Sequence, residues 1–391
     1  MVDYNDIQSN GFSDLYIACF LNDIESVRTI LANSSFEKIN SHEINGSTAL
    51  HIAVECNHVD IVRIILHDYG VLRHLKDHQN RTAYELIQTD AMRQLFRRPI
   101  SDNNRFCDMT NSSPLLTICG SNDRVDIHDN FIAARNYHAD NVYPYYDNLF
   151  KKLGRKIFSN NPINDSEIVR HSKNLSTIVD DHVTPKDTQY QKAKSFVEEF
   201  AKTGKVEPLF RLFTLETPFY KYINQDKQSS DYLSSPIYDG LYSLRSRAFK
   251  GQTYRGLSMT LEEMESYRLA AKKPKRFLMT NTFCSTTLDI IQAKFRAEAY
   301  ECNQRKAVLM KFNFPKECLT AIQLYRISDQ LPCISEIENE EEVLVLPNTS
   351  FLIESVQQES SLTVIYLDYY CLDQEAGQYR TMFAYNLSAY D

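Results

Sequence analysis

Apolar and polar positions follow two different rhythms along the chain, and the change between them divides it. Before residue 99 the apolar positions Leu50, Ala53 and Val54, then Val59, Val62, Ile65 and Leu66, recur at three- and four-residue steps, the spacing of two short helices with one apolar face each. The same arrangement stands 35 residues earlier: Leu15-Tyr-Ile-Ala18 matches Leu50-His-Ile-Ala53, and 27–31 matches 62–66. A third, weaker copy emerges when Gly46-Ser-Thr-Ala49 is laid over Asn80-Arg-Thr-Ala83, at an offset of 34. Neither helix pair could bury its face alone, so the copies are expected to stack. Further helices are predicted over 147–158, 166–178 and 189–203, the last with Ala193, Phe196, Val197 and Phe200 on one face. After Gly251 the rhythm breaks into short apolar runs, 277–279, 307–312, 343–346 and 362–367, which predict strands. The fold class expected is α+β, with a helical repeat module in front.

The segment Gly46-Ser-Thr-Ala-Leu-His-Ile-Ala53 resembles the ankyrin repeat, whose Thr and His brace the turn before the first helix. His51 is therefore expected to be a bracing residue rather than a catalyst or ligand. Stacked repeats of this kind present faces that bind proteins, so recruitment of a partner is expected of the 11–99 module; the alternative is a stabilising cap on the next domain. The third copy degenerates towards Pro99, which sets a boundary there. Residues 100–140, rich in Asn, Asp and Ser, are expected to be a linker with a short ordered piece around 115–119, and 141–391 a second domain.

Composition narrows the function classes. The chain of 391 residues is 43% hydrophobic and 24% charged with no Trp, which excludes wholesale disorder. A net charge of -8 offers no broad basic surface for phosphates, so nucleic acid is not expected as a partner. Nine Cys without a C-x-x-C pair suit neither a disulfide framework nor a zinc site, which points to a reducing compartment and no metal. The polar, acidic 1–10 segment does not have the form of a secretory signal, and no window has the ~18 apolar residues that span a bilayer. A cytoplasmic protein is expected, the nucleus remaining open. The apolar run 362–370, interrupted by Asp368, is read as a buried strand.

Three candidate motifs lie in the second half. Thr253-Tyr254-Arg255-Gly256 sets an Arg, a planar fork of donors suited to phosphate, beside a Gly that lets a ligand approach the backbone, at the expected end of a strand. Phe283-Cys284-Ser285-Thr286-Thr287 is expected to be a hydroxyl-rich turn in which Thr286 or Thr287 caps a helix over 288–298. No G-x-S-x-G pattern surrounds Ser285, so serine-hydrolase chemistry is not favoured. The acidic run from Ser335 through Glu340, Glu341 and Glu342 enters the apolar 343–346 segment. Several of its glutamates are expected to be a solvated loop, whereas Glu342 adjoins the strand, and alternation sets Glu340 on the same side if the strand reaches back that far.

Taken in order, Tyr-Arg-Gly, Phe-x-Ser-Thr-Thr and Glu-x-Glu-Val-Leu resemble the R-S-E signature of the arginine-specific mono-ADP-ribosyltransferases, the ecto-enzyme and clostridial-toxin-like class. The likeness covers roughly 192–391, with its specific part between 251 and 353. It implies an ADP-ribosyltransferase fold, a helical part followed by two packed β-sheets forming an NAD cleft. It also implies NAD+ as co-substrate and a protein arginine as acceptor. Tyr254, Arg255 and Gly256 would then meet NAD+, with Arg255 at the phosphate and ribose and the Gly256 backbone at the nicotinamide amide. Ser285 would hold the nicotinamide ribose, Glu342 would be the catalytic glutamate bonding the ribose 2′-hydroxyl, and Glu340 would sit beside the acceptor. Ser-Thr-Thr replaces the usual Ser-Thr-Ser. Glu341 lies between the acidic pair, but Val343 and Leu344, matched to the family's Val-Leu, favour Glu342.

The activity this resemblance implies is that of an NAD+-dependent protein-arginine ADP-ribosyltransferase. Two alternatives remain: an NAD+ glycohydrolase, in which water takes the acceptor's place, and a non-catalytic ankyrin scaffold with a decayed transferase fold. Poly-ADP-ribosylating enzymes carry His and Tyr in the slots that hold Arg255 and Ser285 here, which disfavours that class.

Overall fold

The computed structural model describes residues 11–97, 116–119, 165–272, 277–299, 301–302, 304–359 and 362–370. The helix expected over 147–158, the 1–10 segment, Pro99 and most of the expected linker lie outside them.

The repeat module forms as its spacing predicts. Its first two copies are the helix pairs α1 (Asp14–Phe20) with α2 (Ile24–Ala32), and α3 (Ala49–Glu55) with α4 (Val59–Arg63), the latter continued by a π-helical turn over Ile64–Asp68. The third copy is reduced to a 3-10 turn, Ala83–Leu86, and α5 (Asp90–Leu95). Side-chain oxygens of Ser13, Asp23 and Thr89 accept from backbone amides in the first turns of α1, α2 and α5. Val27, Leu31, Ala53, Val62 and Met92 lie in one apolar cluster through all three copies, the shared core that no single pair could supply. His51 is buried. Its Nε2 lies 3.1 Å from the Arg81 carbonyl, which can only accept, so Nε2 carries the proton and Nδ1 accepts from the Thr48 hydroxyl at 2.8 Å. Burial pulls its pKa down, in keeping with a neutral ring that ties one repeat to the next.

Beyond the repeats come α6 (Asp165–His182), α7 (Tyr190–Thr203), α8 (Glu207–Thr214), α9 (Phe219–Ile223) and α10 (Lys227–Asp239). Phe196, Phe200, Phe210 and Phe213 from this layer share a core with Phe283, Ile322, Leu344 and Leu346 of the sheet. No helix among the described residues is long and apolar enough to cross a membrane.

The strands are β1 (Leu116–Cys119), β2 (Ala248–Met259), β3 (Phe277–Thr280), β4 (Cys284–Thr287), β5 (Lys306–Gln323), β6 (Glu342–Val345), β7 (Ser350–Glu359) and β8 (Leu362–Tyr369). The expected two sheets are instead one continuous sheet in the order β1-β3-β7-β8-β5-β2-β4-β6, folded over by a further β5–β6 pairing. The cause is the long β5. Its first half runs parallel to β8, while Ala321–Gln323 pairs with β6, and the β2–β5 ladder shifts register around Phe249 and Gly251. Such bulges bend a strand sharply enough for one sheet to face itself. The space between the halves is filled by Cys284, Val343 and Val345 from one side and Phe312, Phe351, Ile365 and Leu367 from the other. Helices α11 (Leu261–Ala271) and α12 (Ile290–Ala299) flank the sheet. The ordered piece expected near 115–119 is β1, and it pairs with β3 rather than standing apart as linker. The 362–370 run is a buried strand as expected, whereas the expected 307–312 strand extends to Gln323, and β7 was not anticipated.

Candidate functional site

The three sequence motifs lie on three neighbouring strands, β2, β4 and β6, joined by antiparallel ladders. Arg255 and Gly256 stand in the middle of β2, opposite Met310 and Leu309 of β5, not at the strand's end. The 283–287 segment is strand rather than turn. Each of its residues from Cys284 to Thr287 faces a β6 residue, with Ser285 opposite Leu344 and Thr287 opposite Glu342. Directly opposed residues share a face, so Ser285, Thr287 and Glu342 project to the side on which Leu344 meets the helical layer. Helix α12 is capped by Asp289, whose Oδ1 accepts from the amides of Ile291 and Gln292, while Thr287 Oγ1 accepts only from Asp289 N. A carboxylate two residues on thus takes the cap expected of Thr286 or Thr287.

Arg255, Ser285 and Glu342 are all buried. Arg255 Nη1 donates to the Ser285 carbonyl at 2.7 Å, and its Nε is buried with no hydrogen-bond partner among the described residues. The rest of the strand triplet is tied by hydroxyls: Thr253 Oγ1 lies 2.8 Å from Thr286 Oγ1, which donates to the Val343 carbonyl at 2.6 Å. The neighbouring thiol senses both charges of the motif. Burial pushes the Cys284 pKa up, with Arg255 lowering it and Glu342 raising it further. Tyr254, opposite Thr287, shares the face of Ser285 and Glu342 by the same rule and packs with a cluster that includes Ala293 of α12, whereas Arg255 alternates with it onto the opposite face of β2.

Gly256 has a steric reason for being glycine that the sequence does not show. A Cβ there would stand 1.7 Å from the Ala293 carbonyl oxygen and 2.8 Å from the Ala297 nitrogen. The atoms that approach this backbone are those of α12.

The acidic run departs most from expectation. The strand does not reach back to Glu340, because β6 begins at Glu342 and Glu338–Glu340 is a 3-10 turn. Glu341 between them is exposed with φ 43°, a left-handed kink that sends its side chain outward and leaves Glu342 as the strand's first buried residue. Glu340 is buried, with Oε1 3.1 Å from Arg296 Nη2 of α12 and its carbonyl accepting from Thr287 Oγ1 at 2.7 Å. Glu336, in the run of which several glutamates are expected to be a solvated loop, is 2% exposed, with Oε2 2.7 Å from Lys192 Nζ and Oε1 3.5 Å from Arg211 Nη1. Burial opposes its ionisation, but Lys192, His74 and Arg211 outweigh that and hold the carboxyl well below the usual range. The sequence motifs do not include Arg296, Lys192 or Arg211. One signal for them is present: Lys192, Phe196 and Phe200 share a stripe, and a cation on an apolar stripe calls for a buried anion.

Comparisons with known proteins find two kinds of similarity. Residues 37–87 match the family model described as ankyrin repeats, many copies. No curated protein matches the sequence. Among solved structures, the ADP-ribosyltransferase HopU1 of Pseudomonas syringae is 17% identical over 51% of this chain and 97% of its own, with a TM-score of 0.33. The Vis toxin, an ADP-ribosyltransferase from Vibrio splendidus, is 17% identical over 56% and 91%, with a TM-score of 0.27. An ADP-ribosyltransferase from Clostridium botulinum is 14% identical over 49% and 98%, with a TM-score of 0.31.

Proposed function

We propose that the chain is an NAD+-dependent ADP-ribosyltransferase that modifies arginine side chains of a protein, releasing nicotinamide. The observation that carries this reading is the meeting of Arg255, Ser285 and Glu342 across three paired strands, with Arg255 bonded to the Ser285 backbone and Ser285 and Glu342 on one face. The three motifs are far apart in sequence, and a scaffold has no need to gather them.

The chemistry suits these groups. Breaking the bond between ribose C1′ and the nicotinamide nitrogen sends the bonding pair to nicotinamide, already cationic, and leaves positive charge on C1′ and its ring oxygen. A fixed carboxylate at Glu342 stabilises that charge and accepts from the 2′-hydroxyl. Arg255, a fork of donors with an unmatched Nε, suits the phosphates. The acceptor guanidinium, with a pKa of about 12.5 to 13.8, must lose a proton as its nitrogen bonds to C1′, and a carboxylate at Glu340 takes it. Glu340 already binds one guanidinium, that of Arg296, the same group a substrate arginine would offer. Arg296 must yield for a substrate arginine to enter.

The test is nicotinamide release from NAD+ by the purified chain, with and without agmatine. Agmatine-stimulated release with a labelled guanidinium product supports the transferase. Release without labelled product would instead identify a glycohydrolase, and no release under either condition would overturn the enzymatic reading.

A further inference from the structure

The acidic run before Glu342 is held from both sides, and one side is the repeat module. From the helical layer, Lys192 of α7 and Arg211 of α8 reach Glu336, and Arg211 Nη2 also donates to the Cys333 carbonyl at 2.6 Å. From the repeats, His74 Nδ1 lies 3.4 Å from Glu336 Oε1, Thr82 Oγ1 donates to Glu338 Oε2 at 3.4 Å, and Glu85 pairs with Arg326 at 2.6 Å. Thr82 and Glu85 also form the capping box that starts the third repeat's turn, so the same residues build the repeat and grip the loop. The contact is packed as well as charged. The His74 ring centroid is 5.7 Å from that of Phe196, Leu72 lies against the helical core, and a Cβ on Gly70 would stand 2.4 Å from the Thr188 carbonyl. Glu336 and Lys192 are buried between the two modules with the His74 ring beside them, and such charges persist only where their partners are fixed.

We propose that the repeat module is part of the catalytic unit, with His74 and Thr82 as positioning residues that act through Glu336 and Glu338 to set Glu340 and Glu342. This rests on the transferase reading above. The loop's backbone has other anchors, with Arg211 on the Cys333 and Ser335 carbonyls, Thr214 on Glu336 N and Thr287 on the Glu340 carbonyl, but the Glu336 and Glu338 side chains are reached from the repeats. It enters β6 through a left-handed residue and a 3-10 turn, and its next anchor, Arg296 on Glu340, comes from a third element. Releasing the repeat-side grip leaves Glu336 its two cations and the 333–336 backbone its bonds to α8, but lets the stretch between Glu336 and Glu340 shift. The separation between the carboxylate serving the acceptor and the one serving C1′ then changes, and geometry of this kind sets how the ADP-ribosyl group divides between guanidinium and water.

The experiment uses the full chain and the double variant His74→Ala, Thr82→Ala, with His74→Gln as the conservative comparison. Loss of folded enzyme lowers all rates together, so the decisive readout is the partition between agmatine labelling and hydrolysis, which does not depend on the active fraction. The double variant is expected to shift this partition about tenfold towards water and to raise KM for agmatine, with KM for NAD+ unchanged and His74→Gln near wild type. An unchanged partition in an active double variant overturns the inference. If the wild-type chain releases no nicotinamide, the transferase reading falls by itself. Backbone amide exchange over 333–342 then decides the anchoring: faster exchange in the double variant supports it, and equal exchange overturns it.

Discussion

Replacing Gly256 by Ala tests whether helix packing sets the geometry of the candidate site. The added Cβ would lie 1.7 Å from the Ala293 carbonyl oxygen, against the ~3.3 Å at which carbon and oxygen ordinarily meet, so strand and helix must separate by about 1.6 Å. The obstacles at 1.7 and 2.8 Å are backbone atoms of Ala293 and Ala297, so no rotamer change relieves them. Gly256 does not need a left-handed conformation, which leaves the cost purely steric. An overpacking penalty at the upper end, about 3 kcal/mol, is expected. At roughly 2–4 °C per kcal/mol for a unit of this size, the melting midpoint should fall by about 6–12 °C. The displacement also has a chemical consequence. Helix α12 carries Arg296, whose 3.1 Å contact fixes Glu340, so moving the helix disturbs the Glu340 carboxylate while Arg255, Ser285 and Glu342 stay joined through their strands. Thermal unfolding followed by near-ultraviolet circular dichroism gives the first quantity, and the ratio of agmatine labelling to nicotinamide release gives the second. A Gly256→Ala chain with the wild-type midpoint and ratio would refute the packing argument.

Three further outcomes are expected. Glu342→Gln should lower nicotinamide release by about 10²–10³-fold, the effect of removing one preorganised electrostatic partner, whereas Glu340→Gln should largely spare release and abolish guanidinium labelling in a product assay. Arg296→Ala, by freeing the Glu340 carboxylate, should lower KM for agmatine in steady-state kinetics; a raised KM would show that Arg296 orders the site rather than occupies it. Burial lowers the His74 pKa to about 4, so its contribution is lost as pH falls below its ordinary 6.5; burial raises the Glu338 pKa to about 7, so its contribution is lost as pH rises above its ordinary 4.5. Over pH 4.5 to 6.5 the two slopes oppose, and denaturant titrations should show stability falling with pH in His74→Gln but rising with pH in Glu338→Gln.

How much of the fold is legible in the sequence depends on how local its cause is. The repeat helices, α6, α7 and the buried C-terminal strand are readable because an apolar stripe needs only its own spacing to be recognised. Cys284–Thr287 reads as a turn, wrongly, because its hydroxyls suit exposed caps equally well. Only the ladders to β2 and β6 make it a buried strand, in which Thr286 and Thr287 spend their hydroxyls on carbonyls. The single folded sheet is out of reach for the same reason. The bulges around Phe249 and Gly251 and the second pairing of β5 are properties of partners rather than of any one run.

The acidic run shows why the site itself is only half readable. Order and residue type are enough to bring forward Arg255, Ser285 and Glu342, and the exposed left-handed Glu341 supports the choice of Glu342 over its neighbour. A dense run of like charge ordinarily repels itself into solvent. Here Glu336 and Glu340 are buried because cations arrive from α7, α8 and α12, and a His and a Thr from the repeat module complete the shell. Removing one member of such a set leaves the rest buried and uncompensated, which costs far more than an exposed ion pair. The module that looks like a recruiting appendage therefore shares its charge balance with the loop that leads into Glu342. A change in the third repeat should be felt at the Glu340 carboxylate before it is felt in the sheet.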